Sequence, residues 1–307
     1  MIDFDFLQDF EETLDPSRGR SGYPMSILGY GEISVVFEVL DGVHNGIAFK
    51  RIPNFISESE VKAYISLFNE YELLLKEAGI NLPESEATYV LRKDGKAVLY
   101  IAQIKLDPEC ICNKLIHRLG GEEIEELFSR VLNELGKIWK FNQVKDIEIG
   151  IDGQISNWAL KGEKILYFDT GTPMVRKNGE HQINAEVFLR ATPPVMRTIV
   201  KKAFLQEILD RYFDFRLVVV DLLANLFKEK KADVIPALIG VANDFFSDFF
   251  NELNSEIQPL TYEEIRKYYD HDAFIWSLYL NLRKLHRSAA RLMGKRYEYF
   301  LPEKIER

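Results

Sequence analysis

The chain has 307 residues, a formal net charge of −9 and an apolar share of 47%, ordinary for a folded protein with a core of its own. That acidity argues against a nucleic-acid surface, because phosphate backbones select for an excess of Lys and Arg. The most apolar run, 217–227, is broken by Asp221 and too short to span a bilayer, and the opening MIDFDFLQDF carries acids where a secretory leader carries bases. A cytoplasmic protein with no nucleic-acid or membrane partner is expected.

The first third reads as strands around one helix. Residues 25–30, 34–40 and 47–52 are short apolar or alternating runs, and Asp41-Gly42 and Asn45-Gly46 are turn pairs, which predicts an antiparallel meander. A helix follows. Ser57 and Glu60 form a capping box, Gly79 terminates it, and Val61, Tyr64, Ile65, Phe68, Tyr71, Leu75 and Ala78 recur at helical spacing as a buried face. Two more strands, 88–92 and 97–105, flank the turn Lys93-Asp94-Gly95-Lys96, and Asp107-Pro108 breaks the pattern. Cys110 and Cys112 are too few for a zinc site, and no histidine pair stands near them at ligand spacing. Beyond them the chain reads mainly helical. An amphipathic helix covers 122–142, and short strands at 158–160 and 165–168 flank Lys161-Gly162-Glu163. Several helices cover 198–292, with breaks at Pro236 and near Pro259.

Three groups of residues carry chemistry. The first is Gly29-Tyr30-Gly31-Glu32-Ile33-Ser34, in which missing side chains let backbone amides approach phosphates. A dinucleotide loop would open a helix at once, but Val35-Val36-Phe37-Glu38-Val39 continues as a strand, so this loop joins two strands like a flap. The second is Lys50 in Ala48-Phe49-Lys50, an ammonium among apolar neighbours that needs an anionic partner. On the following helix Glu72 falls between Ile65 and Phe68 on the buried face while Glu70 points away, so Glu72 is the expected partner. The third is Asp152-Gly153-Gln154-Ile155-Ser156-Asn157 followed by Phe168-Asp169-Thr170-Gly171. An aspartate in D-x-x-x-x-N spacing can receive a hydroxyl proton, and the Asn157 amide and Asp169 carboxylate are oxygen ligands suited to Mg²⁺.

In this order the motifs resemble the protein-kinase-like superfamily over most of the chain. The resemblance implies an α+β, bilobal fold. Residues 1–105 would form an N-lobe of five antiparallel strands and one helix, and 106–307 a mainly helical C-lobe. It also implies ATP and Mg²⁺ as cofactors. Gly29, Gly31 and Ser34 would cover the phosphates, and Val36 and Ala48 would line the adenine pocket. Lys50 and Glu72 would form the ion pair, and the hinge Gln103 to Lys105 would read adenine with its backbone. Asp152 would be the catalytic base, with Asn157 and Asp169 holding the metal.

The sequence departs from the family at Gly150-Ile151, where a bracing histidine ordinarily precedes the catalytic aspartate. It departs again at Ser34 in place of a third glycine, and at Gln154. No Ala-Pro-Glu segment follows Asp169, and Ala191-Thr192-Pro193-Pro194 is a faint echo of it. These features favour the aminoglycoside and choline kinase-type small-molecule phosphotransferases, acting on an unidentified hydroxyl-bearing substrate. The alternative is a pseudokinase serving as a nucleotide-binding or scaffold module.

Overall fold

A computed structural model describes residues 3–192, 197, 205–252 and 257–302. The protein is α+β. Its N-terminal part is an antiparallel five-stranded sheet built from β1 (Met25–Tyr30), β2 (Val35–Val39), β3 (Ile47–Phe55), β4 (Ser85–Leu91) and β5 (Ala97–Ile104), in the order β1-β2-β3-β5-β4. Both faces are covered, because each strand alternates its side chains. Val35, Phe37, Val39 and Phe49 point to one side and meet Phe6, Leu7 and Phe10 of α1 (Phe4–Thr13). Ile52, Leu99 and Ile101 point to the other and meet Val61, Tyr64 and Phe68 of α2 (Glu58–Glu77). The single helix expected for this part is therefore corrected to two. Helix α1 is capped by Asp3, whose carboxylate accepts from the Phe6 N–H. Fully buried aromatics such as Phe10, stacked on Phe37 at 4.9 Å, contribute about 1.5–3 kcal/mol each. Helix α2 keeps the expected cap, with Ser57 Oγ accepting from the Glu60 N–H at 3.2 Å.

The remainder is largely helical. The short helix α3 (Cys112–Leu115) leads into α4 (Gly121–Gln143), followed by the short α5 (Glu186–Ala191) and α6 (Leu205–Asp210). Helices α7 (Phe215–Lys228), α8 (Ile235–Glu252) and α9 (Tyr262–Leu292) complete it. Leu127, Val131 and Leu135 of α4 pack with Val219 and Leu222 of α7 and Phe246 of α8 in the main core. Gly136 permits this approach, since a Cβ there would stand 3.1 Å from Phe249. Pro236 occupies the second position of α8, where no helical N–H is lost, and Pro259 precedes the Thr261 cap of α9. Pro193 and Pro194 of the faint Ala-Pro-Glu echo lie outside the described residues, as do 198–204 at the start of the expected helical region.

Two small β units sit between α4 and α5. One is the hairpin of β7 (Trp158–Lys161) and β8 (Lys164–Tyr167). The other is a three-stranded sheet in which β9 (Val175–Lys177) lies between β6 (Ile147–Ile149) and β10 (Glu180–His181). After α9 the chain returns to the first sheet. Arg51, 1% exposed, donates to both Glu11 carboxylate oxygens at 2.7 and 2.8 Å and to the Glu298 carbonyl at 2.9 Å, while Arg296 reaches Glu11 at 2.9 Å. Burial works to raise the Glu11 pKa, but the Arg51 charge and hydrogen bonds hold it below its ordinary value. Among the described residues no helix is long and apolar enough to cross a membrane.

Candidate active site

Strand register assembles the first half of the site. Antiparallel partners face the same way, so Gly29↔Val36, Val36↔Lys50 and Lys50↔Ile101 form one row across four strands. Ala48↔Gln103 forms the next row on that face. Val36, Ala48, Lys50 and Gln103 therefore share the α2 side of the sheet.

The hairpin of β7 and β8 supplies the second half. Trp158 pairs with Tyr167, which sets Asn157 against Phe168, and the Phe168 N–H donates to the Asn157 carbonyl at 3.1 Å. Asp169 is the next residue, one step beyond this pair. Lys50 Nζ lies 2.5 Å from Asp169 Oδ1. It reaches there across Gly171, where a Cβ would stand 2.6 Å from Nζ and 2.7 Å from Cδ. A Cβ there would make the end of the lysine side chain shift.

The expected ion pair between Lys50 and Glu72 is not formed. Glu72 is buried, in keeping with its place on the inner face of α2, and Glu70 is more exposed and pairs with Lys177 at 2.6 Å. Yet the Glu72 carboxylate is engaged elsewhere: it accepts from Thr170 Oγ1 at 2.8 Å and Ser85 Oγ at 2.6 Å. Glu72 thus braces the segment carrying Asp169 through its neighbour Thr170. Two tyrosines of the same helix do similar work. Tyr64 donates to the Gly171 carbonyl at 2.9 Å, and Tyr71, two turns on, donates to the Gly150 carbonyl at 2.8 Å. Helix α2 consequently ties together both loops that follow the D-x-x-x-x-N and D-x-G patterns.

Asp152 stands half-buried where these loops meet. Its carboxylate accepts from the Gln154 N–H at 3.3 Å, and its carbonyl accepts from Asn157 Nδ2 at 3.1 Å. That second bond turns the asparagine's amide nitrogen toward the Asp152 carbonyl. Burial first, then the charges of Asp221 and Asp169, push the Asp152 carboxyl up to about 7. The sequence reading did not single out Asp221 or its neighbours for this site. Burial also raises the Asp221 pKa, with Arg211 opposing. Arg211 donates to Tyr212 and Tyr268 hydroxyls at 2.9 and 3.2 Å. These groups close around Ile151 and Gly153 and leave no water-sized space between them. At Gly150 a Cβ would stand 2.8 Å from the Phe213 ring, which packs against this position.

The glycine turn and the hinge differ from expectation in their backbone donors. The Gly31 N–H closes the turn on the Ser34 carbonyl at 3.0 Å, and a Cβ there would make the Ser34 hydroxyl turn away from its 2.5 Å approach. Ile104 and Lys105 cannot donate to adenine, because their N–H groups already donate to Glu84 and Gly46 at 3.0 and 2.8 Å. The Lys105 side chain pairs with Glu38 at 2.5 Å. Gln103 turns inward, and Nε2 donates to the Phe168 carbonyl at 3.1 Å, next to Asp169.

One family model matches residues 9–287 of the chain. The chain belongs to DUF6206, a family of unknown function. Among curated proteins no match is found.

Proposed function

We propose that the protein is a Mg-ATP-dependent phosphotransferase on a bilobal, protein-kinase-like plan, acting in the cytoplasm on a small hydroxyl-bearing substrate. Residues 1–105 and 106–307 are its lobes in this reading. The observation that carries it is that Lys50, on the α2 face of the sheet, pairs with Asp169 at 2.5 Å, while Asn157, which donates to the Asp152 carbonyl at 3.1 Å, stands opposite Phe168 in the hairpin that leads to Asp169. Lys50 is the phosphate-directed cation, and Asp152, with a pKa near neutrality, is suited to take a hydroxyl proton. Asn157 and Asp169 offer two oxygen ligands. Mg²⁺ keeps water and phosphate ligands beside one or two protein oxygens and would supply charge neutralisation of the phosphates when bound.

A second reading, a nucleotide-binding module without transfer, is favoured by Gly150 in place of the bracing histidine, with Phe213 packed against it. One experiment separates the two. Wild type and Asp152→Asn are incubated with Mg-ATP and a pool of small hydroxylated and amino-sugar metabolites, and phosphorylated products are read by mass spectrometry. Product from wild type alone supports the phosphotransferase. Equal product from both overturns the role of Asp152. Saturable nucleotide binding with no product from wild type favours the binding module.

A further inference from the structure

The glycine turn is held from two sides, and one of the holders comes from the far end of the chain. At its tip Ile33, 5% exposed, packs in the cluster with Ile52, Ile101 and Val187. Beside it the Glu32 carbonyl accepts from Arg283 Nη1 at 2.5 Å. Arg283 lies on α9 and is only 4% exposed. Its guanidinium lies over the Tyr299 ring at 4.4 Å and the Tyr279 ring at 5.4 Å, and Nε donates to Tyr297 Oη at 3.3 Å. Among the described residues Nη2 is buried with no acceptor. Burying a guanidinium with one donor unmet is costly. Here three tyrosines and the anchored segment after α9 hold it in place, and its Nη1 meets the turn at a backbone carbonyl. A carbonyl contact fixes where the main chain lies whatever side chain stands at that position, and the main chain is what a phosphate-covering turn uses. Burial, with Arg283 opposing and Glu32 adding, pushes the Tyr279 phenol up to about 12, in accord with the turn standing close against α9.

We propose that Arg283 is a positioning residue for nucleotide binding, setting from the C-terminal helix where the glycine turn 29–34 lies over the nucleotide phosphates. The proposal rests on the Mg-ATP reading of the site. It assigns to α9 a direct part in that site, on the flap side, although no motif in the helix announces one. It also separates Arg283 from ordinary glue between the sheet and the helical part. Glue would affect all ligands or none, whereas a turn positioned over phosphates matters only to a ligand that has them.

The test compares wild type, Arg283→Gln and Arg283→Lys by calorimetric titration with Mg-ATP and with adenosine, and follows amide hydrogen exchange in residues 29–34 without ligand. Arg283→Gln should weaken Mg-ATP about tenfold, leave adenosine unchanged within about twofold and speed exchange in the turn; Lys, which can still donate to the carbonyl, should recover part of each loss. Equal weakening of both ligands, or of neither, overturns the proposal. Wild type binding neither ligand overturns the nucleotide half together with the reading beneath it. Exchange in the turn then still decides whether Arg283 holds the turn, and unchanged exchange removes that claim as well.

Discussion

Asp152→Asn replaces a carboxyl by an amide of nearly the same shape that can still accept from the Gln154 N–H, so its effect on stability follows from charge. The folded protein holds this carboxyl at about 7 against an ordinary 3.8. Between those values the native state binds a proton that the unfolded chain has released. The stability from that proton is fully present below the unfolded value and is lost as pH rises through the folded one. At ~1.4 kcal/mol per pH unit the ceiling is ~4 kcal/mol. Asp152 titrates together with Asp221 beside it, which lowers the working figure to ~1–2 kcal/mol. For a chain of this size that is a rise of ~2–4 °C in Tm. The Asn variant should therefore melt higher than wild type at pH 8 and together with it at pH 4, by differential scanning calorimetry. It should bind Mg-ATP as wild type does, since the metal ligands are intact, and transfer no phosphate. An equal Tm difference at both pH values, or a less stable variant at pH 8, would refute the reasoning.

Other substitutions probe the supports of the site. Glu72→Gln should cost ~1–3 kcal/mol, because it weakens a buried acceptor of Thr170 and Ser85, while Glu70→Gln should change stability by less than ~0.5 kcal/mol; urea titration compares them, and equal effects would contradict the bracing role. Gly171→Ala places a Cβ on the path of Lys50 and should weaken Mg-ATP at least ~tenfold, ~1.4 kcal/mol, with little change in Tm; unchanged affinity would show that Lys50 has another route. Arg51→Met leaves Glu11 buried with only Arg296 for a cation and should cost ~3–5 kcal/mol in chemical denaturation; a loss below ~1 kcal/mol would mean that the network is not a clasp for the C-terminal segment.

Much of the sheet was legible because turn pairs and alternation mark it locally. The hairpin of β7 and β8 was legible for the same reason, with Gly162 at φ 59° between its strands. Strand β4 begins at Ser85 rather than 88 because this edge strand is mostly half-buried and has no clean apolar alternation at its start. Strands β6, β9 and β10 have two or three residues each, too few for a period to show. Helix α1 is short, and Asp5 and Asp9 stand among Phe4, Phe6 and Phe10, so its buried face does not show as a long helical period.

At the site, helical periodicity correctly turned Glu72 inward but carried no information on reach. Whether its carboxylate meets Lys50 or Thr170 depends on how α2 is set against the D-x-G segment. Tyr64 and Tyr71 were read as apolar face residues, and their hydroxyls become tethers only when the loops arrive. Asp221 comes from a remote helix, Arg211 from just beyond α6, and Arg283 meets the glycine turn from α9; no local pattern distinguishes them from other charges in those segments. Asp221 alone left a trace, as a charge interrupting an apolar run.

The central claim is most directly tested by calorimetric titration of the purified protein with ATP in the presence of Mg²⁺, alongside Lys50→Met and Asp169→Asn. The account predicts a saturable heat for wild type with a matching rise in Tm, and at least ~tenfold weaker binding in each variant, because one loses the phosphate-directed cation and the other a metal ligand. No heat and no thermal shift with wild type at millimolar Mg-ATP, or variants that bind as tightly as wild type, would contradict it.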